Sequence, residues 1–166
     1  MTEEQKRLHR CCFTGHRPEK LSCTEKEAMA LLTDHIKKAY VHGYSTFISG
    51  MARGIDIWAA EAVLAEREQH PDIRLICALP HPDFEKRWKT EWQKRYNTIL
   101  EKADLTRTLS TTFSMASYQK RNIWMVDHSA LVLAFFTCEP GGTDNTIQYA
   151  KNHGVRVINM IGKQHQ

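Results

Sequence analysis

The chain has 166 residues, 42% of them hydrophobic and 25% charged, the balance of one folded globular domain and not of a disordered segment. Its 23 Lys and Arg against 19 Asp and Glu leave a formal charge of +4, a mild basic bias well short of a nucleic-acid coat or a polybasic membrane anchor. The longest apolar run, residues 130–136, is far too short to span a bilayer; the polar start MTEEQKRLHR lacks the apolar segment of a secretory signal.

Residues 1–9 read as a polar N-terminal tail, 10–161 as a single domain and 162–166 as a C-terminal tail. Within the domain, strand and helix patterns alternate. A short strand over 10–14 runs into the turn Gly15-His16-Arg17-Pro18. A helix is predicted over 25–42, with Ala28, Leu32, His35, Ile36 and Ala39 on one face, Thr24 and Glu27 forming a capping box, and Gly43 as its stop. A strand over 45–49 precedes Gly50, and a helix over 54–69 turns Ile55, Ala59, Ala62 and Val63 inward. Residues 73–79 are apolar enough for a strand buried on both faces, and Pro80-His81-Pro82 breaks it.

The charged stretch 84–102 reads as one long helix carrying Trp88 and Trp92 at i, i+4, a spacing more typical of core or interface than of a stacking platform. A weak strand over 105–109, a helix over 116–128 and the clearest buried strand, 130–136, follow. The turn Pro140-Gly141-Gly142-Thr143 opens a helix ending at His153, with Gly154 at its C′ position, and a last strand covers 155–160. This alternation predicts right-handed crossovers and a mostly parallel sheet covered on both faces, a Rossmann-like three-layer α/β sandwich. The five cysteines form no CxxC pair; Cys11, Cys77 and Cys138 lie in or beside apolar runs, where cysteine acts as a small core residue. A reducing cytoplasm is the expectation, with neither a disulfide framework nor a metal site.

In open α/β sheets, ligands bind beyond the carboxyl ends of the strands, near the point where strand order reverses. Small, hydroxylated and basic residues recur after the predicted strands: Gly15-His16-Arg17, Gly50-Met51-Ala52-Arg53-Gly54, Pro80-His81-Pro82, Ser110-Thr111-Thr112 and Gly141-Gly142-Thr143. Glycine lets backbone N–H groups approach an oxyanion and hydroxyls add donors, so the set suits a phosphate-bearing ligand. Arg53 offers phosphate a bidentate partner. Asp56, in the first turn of its helix, either binds ribose hydroxyls or complements the helix dipole. Asp56 and His16 are the candidate acid–base groups, with packing inside the turn as the alternative for His16. Tyr118, Arg121 and Asn122 share a helix face, either as a ligand-facing polar cluster or as solvated surface. The glycine spacing matches neither GxGxxG nor the Walker A lysine pattern.

Ser49-Gly50-Met51-Ala52-Arg53-Gly54-Ile55-Asp56 resembles the glycine loop of the Smf/DprA DNA-processing proteins. Gly141-Gly142-Thr143, followed by Thr146, Tyr149-Ala150 and Gly154-Val155-Arg156-Val157, resembles the second motif of the same superfamily, SLOG, which also holds the LOG phosphoribohydrolases and molybdenum-cofactor carrier proteins. Phe13-Thr14-Gly15-His16-Arg17-Pro18, together with Arg121-Asn122 and Met125-Val126-Asp127, is similar to its YpsA-like branch. The likeness extends over residues 11–160. It implies a Rossmann-like domain whose crevice takes nucleotides or nucleotide-derived ligands, ADP-ribose-like molecules among them, and an association with bacterial cell division and stress. The ligand loop carries over to Gly50, Arg53, Gly54 and Asp56, and the second loop to Gly141, Gly142 and Thr143. Where LOG enzymes resemble PGGxGTxxE, this chain has Pro140-Gly141-Gly142-Thr143-Asp144-Asn145-Thr146-Ile147, without the glutamate that supports N-glycosidic cleavage.

Three functions stay open. One is binding or sensing of a nucleotide, NAD or ADP-ribose-like ligand, with no cofactor required. The second is hydrolysis of an N-glycosidic or phosphoester bond in such a ligand, with Asp56 as acid–base and His16 and Arg53 stabilising charge. The third is DprA-like binding of single-stranded DNA. A small-molecule partner is expected first and nucleic acid second, with homo-oligomerisation left open and no membrane partner.

Overall fold

A computed structural model describes residues 1–162; residues 163–166, most of the predicted C-terminal tail, lie outside the described residues. The strands are β1 (Arg10–Gly15), β2 (Thr46–Ser49), β3 (Arg74–Leu79), β4 (Leu105–Thr108), β5 (Leu131–Phe135) and β6 (Arg156–Asn159). The helices are α1 (Glu3–Arg7), α2 (Glu25–Val41), α3 (Ile55–Arg67), α4 (Thr90–Lys102), α5 (Met115–Asp127) and α6 (Gly142–Asn152). One sheet runs in the order β4-β3-β2-β1-β5-β6, and all its pairings are parallel. Strand order reverses between β1 and β5. This is the predicted three-layer α/β sandwich.

Alternation along each strand assigns its side chains to the two layers. In β1, Cys11 and Phe13 join the core made with α2, α3 and α4, while Cys12 joins the smaller core under α5 and α6. With both faces covered, β5 is apolar at every position and buried throughout. α2 starts at the predicted capping box, Thr24 Oγ1 accepting from the Glu27 N–H and Glu27 Oε1 from the Thr24 N–H. His35 departs from its predicted face: it is half-buried and its Nδ1 stands 3.0 Å from the Leu31 carbonyl. α3 is enclosed well beyond the predicted stripe, because α2, α4 and the sheet surround it; Asp56, Ile57, Trp58 and Glu66 are buried too.

Three further local features differ from the sequence expectations. The polar start contains a short helix, α1, whose Thr2 cap exchanges hydrogen bonds with Gln5. The long helix over 84–102 begins only at Thr90. Asp83 takes φ 61°, and the Gln93 side-chain amide donates to the carbonyls of Glu85 (3.2 Å) and Lys86 (2.9 Å), filling acceptors that a continuous helix would have used. Residues 80–89 are thereby free to fold back over the carboxyl edge. Cys138 is exposed rather than part of a core, because β5 stops at Phe135 and the chain leaves the sheet before reaching it. No helix among the described residues is long and apolar enough to cross a membrane.

Candidate functional site

The loops leaving β1 to β5 surround a single cleft of about 1430 Å³ at the carboxyl edge of the sheet. From the predicted set, Gly15 at the end of β1, His16 and Arg17 after it, Ala52, Arg53 and Asp56 after β2, Arg121 and Asn122 on α5, and Gly141, Gly142 and Thr143 after β5 line it. Ser49, Gly50, Met51, Gly54 and Thr146 do not; they shape its surroundings.

The floor is built by the loop between β2 and α3. The Ser49 hydroxyl donates to the Asp56 carbonyl (2.8 Å) and accepts from the Met51 N–H (3.1 Å), holding Met51 at φ 62° with its side chain buried. Gly54 sits at φ 92°, where a Cβ would stand 2.7 Å from the His16 carbonyl oxygen. A Cβ on Gly50 would stand 3.0 Å from both the Arg121 guanidinium and Asp56 Oδ2. Gly50 therefore leaves room for two charged groups that the chain buries together. Asp56 is 8% exposed and Arg121 6%.

Those two groups are only partly satisfied by the protein. Arg121 donates from Nη1 to the Gly50 carbonyl and from Nε to Asn122 Oδ1 (2.8 Å). Asp56 Oδ2 accepts from the Ala52 N–H at 3.3 Å, and Oδ1 has no hydrogen-bond partner among the described residues. Arg121 and Asp56 do not reach ion-pair distance. Burial pushes the Asp56 carboxyl up to about 6, against the pull of the Arg121 charge and of the Ala52 N–H. Burial also lowers the Arg121 pKa, against the charge of Asp56. Such a floor can accept a hydrogen bond from a hydroxyl and donate to an anionic oxygen, relieving the desolvation of both groups.

Two predicted residues are engaged elsewhere. His16 Nε2 lies 3.3 Å from the Thr137 backbone nitrogen and 3.1 Å from its hydroxyl. An N–H can only donate, so Nε2 carries no proton; burial lowers the pKa of the ring, partly offset by the charge of Glu139. His16 thus joins the loops after β1 and β5 across the reversal point. Arg53 holds Glu19 at 2.6 Å. In the second glycine loop, Gly141 and Gly142 are exposed at the start of α6, with nothing within 4 Å of a Cβ added to either. The Thr146 hydroxyl donates back to the Gly142 carbonyl (2.8 Å) and faces its own helix.

The far wall is aromatic, and sequence reasoning largely missed it. His81, Phe84, Trp88, Phe113 and Tyr118 line the cleft, with Phe84, Phe113 and Tyr118 ringing His81 at centroid distances of 5.7, 5.2 and 5.8 Å. Trp88 belongs to this wall, packing edge-on against Phe84 and Tyr96, whereas Trp92 turns towards Trp58. The signal was Pro80-His81-Pro82 directly after a strand; the helix pattern over 84–102 hid the rest. Around the rim, Arg17, Lys20, Arg53, Lys86 and Arg87 join Arg121 against only Asp56 and Asp83. The positive bias of the chain is concentrated at this cleft.

The model of the YspA SLOG family matches residues 11–160. The SPbeta prophage-derived protein YoqJ of Bacillus subtilis strain 168 is 33% identical over 117 residues, 63% of this chain and 68% of that protein. The UPF0398 protein YpsA of the same organism is 28% identical over 142 residues, 79% of this chain and 77% of that protein. Among solved structures, DNA processing protein A from Helicobacter pylori, described for its single-stranded DNA binding mode, superimposes with a TM-score of 0.64 at 16% identity over 93% of this chain and 66% of that one. DprA from Streptococcus pneumoniae gives 0.64 at 15% identity, over 90% of this chain and 49% of that one. At those identities the likeness is one of fold.

Proposed function

Because the chain belongs to the YspA SLOG family, we propose that its carboxyl-edge cleft binds a nucleotide unit, presented as a free nucleotide-derived molecule or as part of a single DNA strand. The observation that carries this reading is the floor, where Asp56 Oδ1 and the Arg121 guanidinium are buried without an ion pair between them. A ribose hydroxyl of a free nucleotide, or a base N–H of a DNA strand, donating to Asp56 and a phosphate oxygen accepting from Arg121 satisfy both. The basic rim suits further phosphate, and the exposed N–H groups at the start of α6 offer an additional anion position.

The strand form has the stronger outside support, since both DprA structures share the fold and one is described with single-stranded DNA. The aromatic wall adds to it, because stacking platforms beside a basic groove are how single strands are held. The elevated Asp56 carboxyl is the feature that favours the hydrolytic alternative, for which Asp56→Asn must abolish release of base or phosphate.

The test is equilibrium binding of AMP, ADP-ribose, a single-stranded hexanucleotide and its duplex, with wild type and Arg121→Met. The reading predicts saturable binding of a nucleotide or the single strand, weakened tenfold or more in the variant. Strand binding should fall linearly in log–log form with salt, by about 0.7 per phosphate contacted. No binding in any arm, or equal binding by the variant, rejects it.

A further inference from the structure

His81 sits apart from the charged floor, 7% exposed, within the aromatic wall. Its Nδ1 is 2.7 Å from the Pro82 carbonyl; a carbonyl only accepts, so Nδ1 carries the proton. In the neutral ring Nε2 is then a lone-pair acceptor, and it is buried with no hydrogen-bond partner among the described residues. A buried acceptor left unmatched is costly and calls for a donor. Three aromatic rings, those of Phe84, Phe113 and Tyr118, stand around the imidazole instead, all nearly perpendicular to it. Phe113 is the closest of the three, yet it is 62% exposed and carried on the loop between β4 and α5, so it is the wall's movable member.

From this geometry we infer that the wall is a nucleobase subsite in which Phe113 yields to a planar base and His81 Nε2 accepts a hydrogen bond from the base's exocyclic amino group. The inference rests on the nucleotide reading and adds a base preference to it. Flat aromatic surfaces hold any base by stacking; the single unmatched acceptor is what distinguishes them. An amino-bearing base meets Nε2 with a donor. Uracil presents a carbonyl at the corresponding position, setting two lone pairs against each other at Nε2. Cytosine and uracil share shape and stacking area, so they isolate the hydrogen bond.

The experiment compares CMP with UMP, and hexadeoxycytidylate with hexadeoxyuridylate, at pH 8 with wild type, His81→Phe and Phe113→Ala. Wild type should favour the cytosine ligand about tenfold, the yield of one well-placed hydrogen bond. His81→Phe, which keeps a ring and removes the acceptor, should bring the ratio to one while preserving uracil binding. Phe113→Ala, at an exposed position, should keep the preference. Equal wild-type affinities for both bases overturn the base subsite and leave the nucleotide reading standing. A preference that survives in a folded His81→Phe variant also overturns it, as does failure of these four ligands where AMP or ADP-ribose binds; failure of AMP and ADP-ribose as well overturns both.

Discussion

Gly50 and Gly54, after β2, and Gly141 and Gly142, after β5, stand on the same edge of the sheet, and their surroundings differ sharply. A Cβ on either glycine of the first loop would press within 3.0 Å of other atoms, whereas nothing lies within 4 Å of one added to the second. The first loop uses glycine to fit the protein's own groups together: a backbone carbonyl at Gly54, and a buried guanidinium and carboxylate at Gly50. The second loop leaves its backbone open to whatever enters. The glycines at this cleft are therefore of two kinds, one that makes the floor and one that leaves the backbone open.

Several substitutions bear on that contrast. The largest effect is expected at Arg121, which joins the first loop from α5. Arg121→Met leaves the Gly50 carbonyl without its donor and Asp56 without the nearby positive charge, and should cost about 3 kcal/mol in denaturant unfolding near pH 7, the cost of leaving buried polar groups unmatched. Adding Asp56→Asn should recover most of it. If the single variant unfolds like wild type, the floor is not an electrostatic unit.

Next in size is a pH effect. The folded protein holds the Asp56 proton more tightly than the unfolded chain, so this group's contribution to stability is lost as pH rises from about 4 to about 6. The loss is at most about 3 kcal/mol, at 1.36 kcal/mol per unit. It should appear as the difference between wild-type and Asp56→Asn stability profiles, and parallel profiles would contradict it. Ligand affinity should run the other way, rising as Asp56 ionises near pH 6, because only the carboxylate accepts well from a hydroxyl.

Gly54→Ala should cost about 2 kcal/mol, since φ 92° strains an alanine. Gly142→Ala should change stability by less than about 0.5 kcal/mol in either direction and show its effect in ligand affinity instead. Matching thermal shifts for these two variants would erase the distinction between the loops. The smallest effect belongs to Arg53→Ala, which removes a rim pair with Glu19 and should lower stability by no more than about 1 kcal/mol.

Most of the fold was legible because its signals are local. Strand alternation, the Thr24–Glu27 capping box and the glycines and prolines between elements each act over a few residues. What escaped depends on partners distant in the chain or on competition within a segment. Asp56 and Arg121 were both picked out as polar candidates, but that they share the space Gly50 leaves follows from a meeting across 71 residues, where Arg121 bonds the Gly50 carbonyl. The aromatic wall was hidden because 84–102 carries an acceptable helix pattern throughout. The Asp83 backbone and the reach of Gln93 back to the Glu85 and Lys86 carbonyls go with the helix's late start at Thr90. His16 shows the reverse case: its position was foreseen, while its ring is occupied by Thr137, which follows β5.

The central claim is that the cleft holds a nucleotide unit on the Asp56–Arg121 floor. Calorimetric titration of AMP and of a single-stranded hexanucleotide into wild type and Arg121→Met, at pH 7.5 and low salt, tests it most directly. One saturable site for at least one ligand, weakened tenfold or more in a variant that remains folded, is the predicted result. Undiminished affinity in that variant, or no heat of binding from either ligand to wild type, would contradict it.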